Sequence, residues 1–352
     1  MKAIKQKTIV ACAAPYGVAG LGQHLAQVVE QTAEREDLEC YYACGIGKDD
    51  PRGRLIETPA ARWLFRYTPI RFNQAWKTYV SGDLFDRAVT RRLSRTQVFH
   101  TFSYHSLHSL RRARFLGCER LVLESASVHV SEAMRQQQKA FQVSGISEGW
   151  ANEALRRRTL REYELADEIF VASELSHQSF LAEGVPPGKL RRRYLGVNPR
   201  FIPPTQRPDD GLFRVVCVGS LSPMKGTTVL LDAFARWQEP KARLTLVGGW
   251  GTRAMRLHVQ RHLRRDSRIT VALGDPLPYF HNANVCVHPS FTDGFGYAPM
   301  EALACGVPVI VSEDTGMKEY VREGVNGYLV PSGNSEAILD RLVSLTRRPL
   351  RL

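Results

Sequence analysis

The sequence predicts an α/β protein built as two Rossmann-like halves, each a parallel sheet covered by helices. Short apolar runs alternate with helical stretches along the whole chain, the pattern of repeated strand–helix–strand units. The length of 352 residues exceeds one ordinary core and suits two domains of roughly 150–200 residues each. Residues 196–210, GVNPRFIPPTQRPDD, are rich in proline and polar side chains and mark a junction between the halves. The expected division is a first domain at 1–196, a linker at 197–210 and a second domain at 211–352.

Strands are expected at 8–13, 40–44, 98–101, 120–124 and 168–172 in the first half. In the second half they are expected at 214–218, 243–247, 268–272, 285–287, 307–311 and 327–330. Each is a short apolar stretch of the kind that a sheet covered on both faces requires. The start, MKAIKQKTIVACAAPYG, offers lysines, an apolar run and small residues, as a secretory leader does. Its apolar part, 8–14, only reaches the lower limit of a signal core, and a glycine turn follows at once. It reads as a first buried strand.

Bulk composition narrows the class further. Hydrophobic residues at 43% and charged residues at 24% are those of a soluble globular protein. No run approaches the ~20 apolar residues needed to span a bilayer. The seven cysteines are scattered, and Cys40 and Cys44 have no matching Cys or His pair at zinc spacing. A reduced, cytoplasmic protein without a bound metal is the expectation. The net charge of +13 and pI of about 9.6 fit nucleic acid, anionic lipid or phosphorylated ligands alike. No nucleic-acid module is visible, so nucleic acid is not the expected partner.

Residues 288–311, HPSFTDGFGYAPMEALACGVPVIV, carry most of the functional information. They read as a strand end, a glycine-rich turn, a short helix and a second buried strand. Gly294, Phe295 and Gly296 lead into the helix, whose first N–H groups lie at the positive end of its dipole. Such a terminus is a site for phosphate. Glu301, two turns on, is an acceptor-only carboxylate suited to sugar hydroxyls. Phosphate and sugar side by side describe a nucleotide-sugar. Asp293 is also a preferred helix N-cap residue. Glu301 could sit on an exposed helix face, but Ala298, Met300, Ala302, Leu303 and Ala304 make its surroundings apolar.

Four features follow one another in the second half: FRVVCVGSLSPMKGTTVLL at 213–231, LTLVGG at 244–249, the 293–301 turn and helix, and VNGYLV at 325–330. Together with EYELADEIFVA at 162–172, FLAEGV at 180–185 and LGVN at 195–198, they resemble the retaining nucleotide-sugar glycosyltransferases of glycosyltransferase family four. That family has the GT-B architecture, two Rossmann-like domains facing across a cleft. The resemblance runs from about 120 to 331 and is thin from 49 to 96.

The resemblance implies roles for individual residues. Lys225 falls on the phosphate-binding lysine. The arginine usual five positions earlier is Ser220 here, so one charge is missing. The family's paired glutamates fall on Asp293 and Glu301. Glu301 matches the one gripping the ribose, and Asp293 the one facing the transferred sugar or its phosphate, drawn back by about one methylene. Backbone N–H groups of Phe295, Gly296 and Tyr297 contact the diphosphate. Gly20 and Gly22, in the turn PYGVAGLGQH at 15–24, face the donor phosphates and the acceptor; alone, they read as an ordinary strand–helix turn. His129, past the strand at 120–124, matches a histidine that contacts the donor sugar, with His100 and His105 as rivals. His129, Lys225 and Asp293 are therefore the expected catalytic residues.

The same resemblance implies transfer with retention, without metal and without a cofactor, since the nucleotide-sugar is a substrate. The acceptor is a glycan, a lipid-linked molecule or a small molecule. Members usually continue past the last strand through helices that cross back to the first domain. Here one helix, 335–346, precedes the end of the sequence, so a shortened or absent crossing helix is expected. A non-catalytic sugar-nucleotide or glycan-binding relative is the alternative, motivated by Ser220 and Asp293.

One stretch lies outside these motifs. Residues 62–79, RWLFRYTPIRFNQAWKTY, interleave Trp63, Phe65, Tyr67, Phe72, Trp76 and Tyr79 with Arg62, Arg66, Arg71 and Lys77. Rings with basic tips suit an anionic membrane interface, a stacking surface for bases or a sugar acceptor. They suit equally a pair of amphipathic helices whose aromatics are core. Peripheral association with an inner membrane face is the functional expectation.

Overall fold

The computed structural model describes residues 6–48 and 50–350. Residues 1–5, 49 and 351–352 lie outside the described residues, and with them Lys2 and Lys5 of the leader-like start and the outer limits of both expected domains. The chain divides into two compact units, Met1–Met134 with Gly149–Leu195, and Arg135–Glu148 with Gly196–Leu352. The residues of the expected linker group with the second unit, as do Arg135–Glu148.

The first unit runs β1 (Lys7–Pro15), α1 (Ala19–Arg35), β2 (Asp37–Gly45), β3 (Gly53–Leu55), α2 (Pro59–Tyr67), a 3-10 turn (Pro69–Phe72), α3 (Gln74–Arg92), β4 (Val98–Phe102), α4 (Leu107–Phe115) and β5 (Arg120–Ser125). The chain continues through α5 (Val130–Ser144), whose residues from Arg135 on group with the second unit, and then in the first unit through α6 (Glu153–Leu165), β6 (Glu168–Val171), α7 (Glu174–Ala182) and β7 (Leu190–Arg192). All seven strands are parallel, in the order β3-β2-β1-β4-β5-β6-β7. Successive side chains of a strand face opposite ways. Thus Ile9 and Ala11 of β1 join one core with Phe85, Phe99, Leu121 and Leu123, while Val10 and Cys12 join another with Leu25, Val28 and Val29. Both faces are covered, which is why these strands read as continuous apolar runs.

The second unit runs β8 (Phe213–Val218), α8 (Thr227–Arg236), β9 (Ala242–Val247), α9 (Arg253–Arg265), β10 (Ile269–Ala272), α10 (Leu277–Asn282) and β11 (Val285–His288). It ends with α11 (Tyr297–Ala304), β12 (Val309–Ser312), a 3-10 turn (Gly316–Tyr320), β13 (Gly327–Val330) and α12 (Ser335–Arg347). Its six parallel strands lie in the order β10-β9-β8-β11-β12-β13. The expected class, two parallel-sheet Rossmann-like α/β units, is the one observed. Strand order reverses at β8/β11, and ligands of such sheets bind beyond the carboxyl ends of the strands at that switch point.

Two strands were not expected from sequence, β3 (GRL) and β7 (LRR). They are the two edges of the first sheet. Each has one neighbour and needs no apolar run, and arginine on an edge discourages pairing with another chain. The strand expected at 307–311 begins two residues later, at Val309. Pro308 precedes it and cannot donate to the ladder, though its carbonyl accepts from Cys286 N at 2.9 Å.

Candidate functional site

The loops leaving β8 and β11 meet at the switch point of the second sheet, and backbone contacts bring them together. A Cβ on Gly248 would lie 1.8 Å from the Gly219 carbonyl oxygen, so the ends of β8 and β9 close on each other only with hydrogen there. Leu221 N donates to Gly249 O at 2.8 Å. Gly226 has φ +66°, and a Cβ on it would lie 1.9 Å from Pro289 O. Phe291 N and Ser290 Oγ both donate to Met224 O, at 2.8 and 3.1 Å. The loop after β12 holds the other side: Gly316 N donates to Asp293 O at 2.9 Å.

This bracing sets the Lys225 ammonium against the Asp293 carboxylate, although the two are 68 positions apart. The same carboxylate oxygen lies 3.2 Å from His288 Nε2. Burial works to raise the Asp293 pKa, but Lys225 and His288 outweigh it and hold the carboxyl well below the usual range. Burial pushes His288 down, against the pull of Asp293, so a neutral ring donating from Nε2 fits the pair. The cluster is half open: the side chains of Lys225 and Asp293 are 30% and 20% exposed.

Asp293 does not cap the following helix. The N-cap of α11 is Gly296, in a left-handed conformation at φ +96°. Phe295 is buried against Tyr297 and Tyr320, at ring-centroid distances of 5.0 and 6.0 Å. A Cβ on Gly296 would meet Met317 Cγ at 2.9 Å. Phe295 and Gly296 therefore anchor the turn that also carries Gly294 and presents the N-terminus of α11 at Tyr297. Glu301 is buried inside α11, which rules out the exposed helix position. Ser220 is exposed at the end of β8.

In the first unit, Gly20 is exposed and Gly22 is buried at the start of α1. A Cβ on Gly22 would lie 2.1 Å from Pro15 O, and Gly17 N donates to Gly22 O at 2.9 Å. Gly22 thus closes its own turn. His129 is buried between Tyr163 and Phe180, 5.0 Å from each ring centroid, and its Nδ1 accepts from Ser131 N at 3.3 Å. His100 sits 2.8 Å from Glu124. His105 Nε2 accepts from Ala13 N at 3.0 Å, and burial lowers its pKa to about 3.

Among the expected site residues, Lys225 and Asp293 come together, with Gly294–Tyr297 and Glu301 continuing on the same loop and helix. His129, Gly20 and Gly22 belong to the other unit. His288 is the partner that sequence reasoning missed. Its signal was a polar residue closing an otherwise apolar strand, five positions before an aspartate. Among the described residues no group of three His, Cys, Asp or Glu could hold a metal ion.

With this geometry in hand, the relatives are informative. Residues 200–350 match the family model of the glycosyl transferases group 1. That match lies within the second unit. The D-inositol 3-phosphate glycosyltransferase of Rhodococcus erythropolis is 33% identical over 157 residues, 41% of this chain and 36% of that protein. The same-named protein of Kribbella flavida is 29% identical over 148 residues, 38% of this chain and 35% of that protein. The match therefore spans about a third of the length of these curated relatives. Among solved structures, sucrose-phosphate synthase from Thermosynechococcus elongatus superposes with a TM-score of 0.73 at 22% identity, covering 98% of this chain and 90% of that one. Anabaena HepE, solved with UDP and glucose, gives 0.66 at 17% identity with the same coverage. These two likenesses extend the shared fold beyond residues 200–350 to nearly the whole chain.

Proposed function

We propose that the protein transfers a sugar from a nucleotide-diphosphate donor to a glycan, lipid-linked or small-molecule acceptor. One observation carries the reading: a partly exposed lysine and a paired carboxylate meet at the switch point of the second unit, beside a glycine turn that opens a helix. Lys225 is a compact point charge suited to a donor phosphate. As phosphate arrives, the ammonium turns from Asp293 toward it. Asp293, still held by His288, is then available to accept from a hydroxyl of the transferred sugar. The N-terminus of α11 adds N–H groups and its dipole to the diphosphate. Charge developing on the leaving diphosphate is met by the same fixed groups. Glu301 accepts from the ribose hydroxyls.

We read the transfer as retaining and metal-independent, so activity should persist in excess EDTA. The acceptor side includes peripheral association with an anionic membrane face. HepE was solved with UDP and the starch synthase IV catalytic domain of Arabidopsis thaliana with ADP, so both bases belong in the test.

Thermal shift and calorimetry over UDP-, GDP- and ADP-sugars provide it, because a ligand bound only by the folded state raises its stability. One donor series should stabilise the protein. Glu301→Ala should then raise its Kd about tenfold or more, a loss of ~1.5–3 kcal/mol, with folding intact. An unchanged Kd would remove Glu301 from the site, and stabilisation by no donor would overturn the reading.

A further inference from the structure

From residue 58 to residue 82 the chain carries Arg62, Arg66, Arg71 and Lys77 and not one Asp or Glu. The segment forms α2, the 3-10 turn and most of the first half of α3. Its aromatic residues do not go into the core. Trp63 is 60% exposed, Tyr67 63%, Phe72 68% and Trp76 44%, whereas Phe65 and Tyr79 are half-buried. Guanidinium groups lie at the rings: Arg71 is 4.6 Å from the Phe72 centroid and Arg66 5.6 Å from that of Tyr67. Trp63 and Tyr67 lie 5.7 Å apart. Among the described residues, none of the three arginines is held in an ion pair.

We infer that this face is a docking surface for a bilayer containing anionic lipid. The inference rests on the glycosyl-transfer reading for its purpose, since it brings the first unit to a lipid-linked acceptor. Two features choose this occupant. Large rings, left in water beside guanidinium groups that no carboxylate neutralises, match the headgroup boundary, where rings enter and cations meet phosphate. A second copy of this chain would bring the same uncompensated positive charge and be repelled, and a neutral glycan would leave the cations unused.

The second unit supplies a contrast. On α9, Arg253, Arg256, Arg261, Arg264 and Arg265 are exposed, yet no Trp, Tyr or Phe lies within that helix. It can attract an anionic surface but has no large apolar ring to insert.

Sedimentation of the full-length protein with phosphatidylcholine vesicles, with and without phosphatidylglycerol, tests the proposal. The unmodified protein should bind only the anionic vesicles. R62Q/R66Q/R71Q should weaken that binding about a hundredfold, since each basic residue near such a surface contributes on the order of fivefold. W63S/F72S should remove the part that survives high salt, where charge attraction is screened. R253Q/R256Q/R261Q should change it little. Equal binding to both vesicles, no binding, loss on changing α9 instead, or tighter binding to single-stranded RNA would each overturn the proposal. Donor affinity is measured in parallel. Vesicle binding without donor binding would leave the surface standing and the transferase reading refuted, and donor binding without vesicle binding would do the reverse.

Discussion

Each unit contains a cation paired with one or more carboxylates, and the two clusters differ in how much of their bonding capacity the protein itself consumes. In the first unit Arg158 lies among Asp83, Asp86 and Glu162. The side chains of Arg158 and Asp86 are 3% and 0% exposed. Asp86 also accepts from His108 N and Ser109 N at the start of α4, at 2.7 and 2.8 Å. Glu162 accepts from Tyr104 N and Ser106 N at 2.7 and 2.9 Å. That cluster ties α3, α4 and α6 together around an enclosed cation; Asp83 at its edge is 19% exposed, and Arg87 and His108 also pair with it. In the second unit Lys225 brings three donors to Asp293, and the pair remains half open. A sealed ion cluster therefore reads as structure, and an open one at a strand-order switch point reads as a binding site.

The largest expected effect tests the sealed side. Arg158→Met removes the cation and leaves buried carboxylates uncompensated, which costs about 3–5 kcal/mol. Denaturant unfolding followed by circular dichroism measures it, and a loss below about 1 kcal/mol would erase the distinction between the clusters. Lys225→Ala tests the open side. Partly exposed pairs contribute only about 0–1 kcal/mol to stability, so the fold should hold. Donor Kd should rise by roughly tenfold to a hundredfold, reflecting ~1.5–3 kcal/mol for a charged hydrogen bond. A large drop in melting temperature with unchanged donor affinity would make Lys225 another structural cation.

The smallest effect concerns pH. His105 must stay neutral to accept from Ala13 N, and its pKa falls from 6.5 to about 3. As pH drops, the unfolded chain takes up this proton first. The contribution is therefore complete above about pH 6.5 and is lost progressively toward pH 3. At one unit below its ordinary value the loss is about 1.4 kcal/mol. His105→Gln, which keeps an acceptor without the titration, should flatten the profile of unfolding free energy between pH 5 and 6.5 by about 1–2 kcal/mol. An unchanged slope would show that His105 does not carry it.

The sequence displayed the central strands of both sheets because each is covered on both faces and must be apolar along its length. It did not display β3 and β7, since a three-residue edge strand is held by one neighbour's backbone and asks little of its side chains. The glycines divided similarly. Gly296 was legible as the turn into α11, but the role of Gly22 depends on the position of the Pro15 carbonyl, which no local pattern records. His129 had a plausible place after β5, and its enclosure by Tyr163 and Phe180 became visible only when α6 and α7 were in position.

Residues 288–311 announced a strand, a phosphate-compatible turn and a helix by themselves, because each step depends on neighbours a few positions away. The alternation of apolar runs and helices likewise determined two parallel-sheet units. The tertiary structure decided what faces what. It put Lys225 on Asp293 across 68 positions and added His288 to the same oxygen. It also buried Glu301 and left Trp63, Tyr67, Phe72 and Trp76 in solvent. The physical reason is common to all four outcomes. Helical and strand preferences are short-range, whereas exposure and charge pairing depend on groups that arrive from elsewhere in the chain.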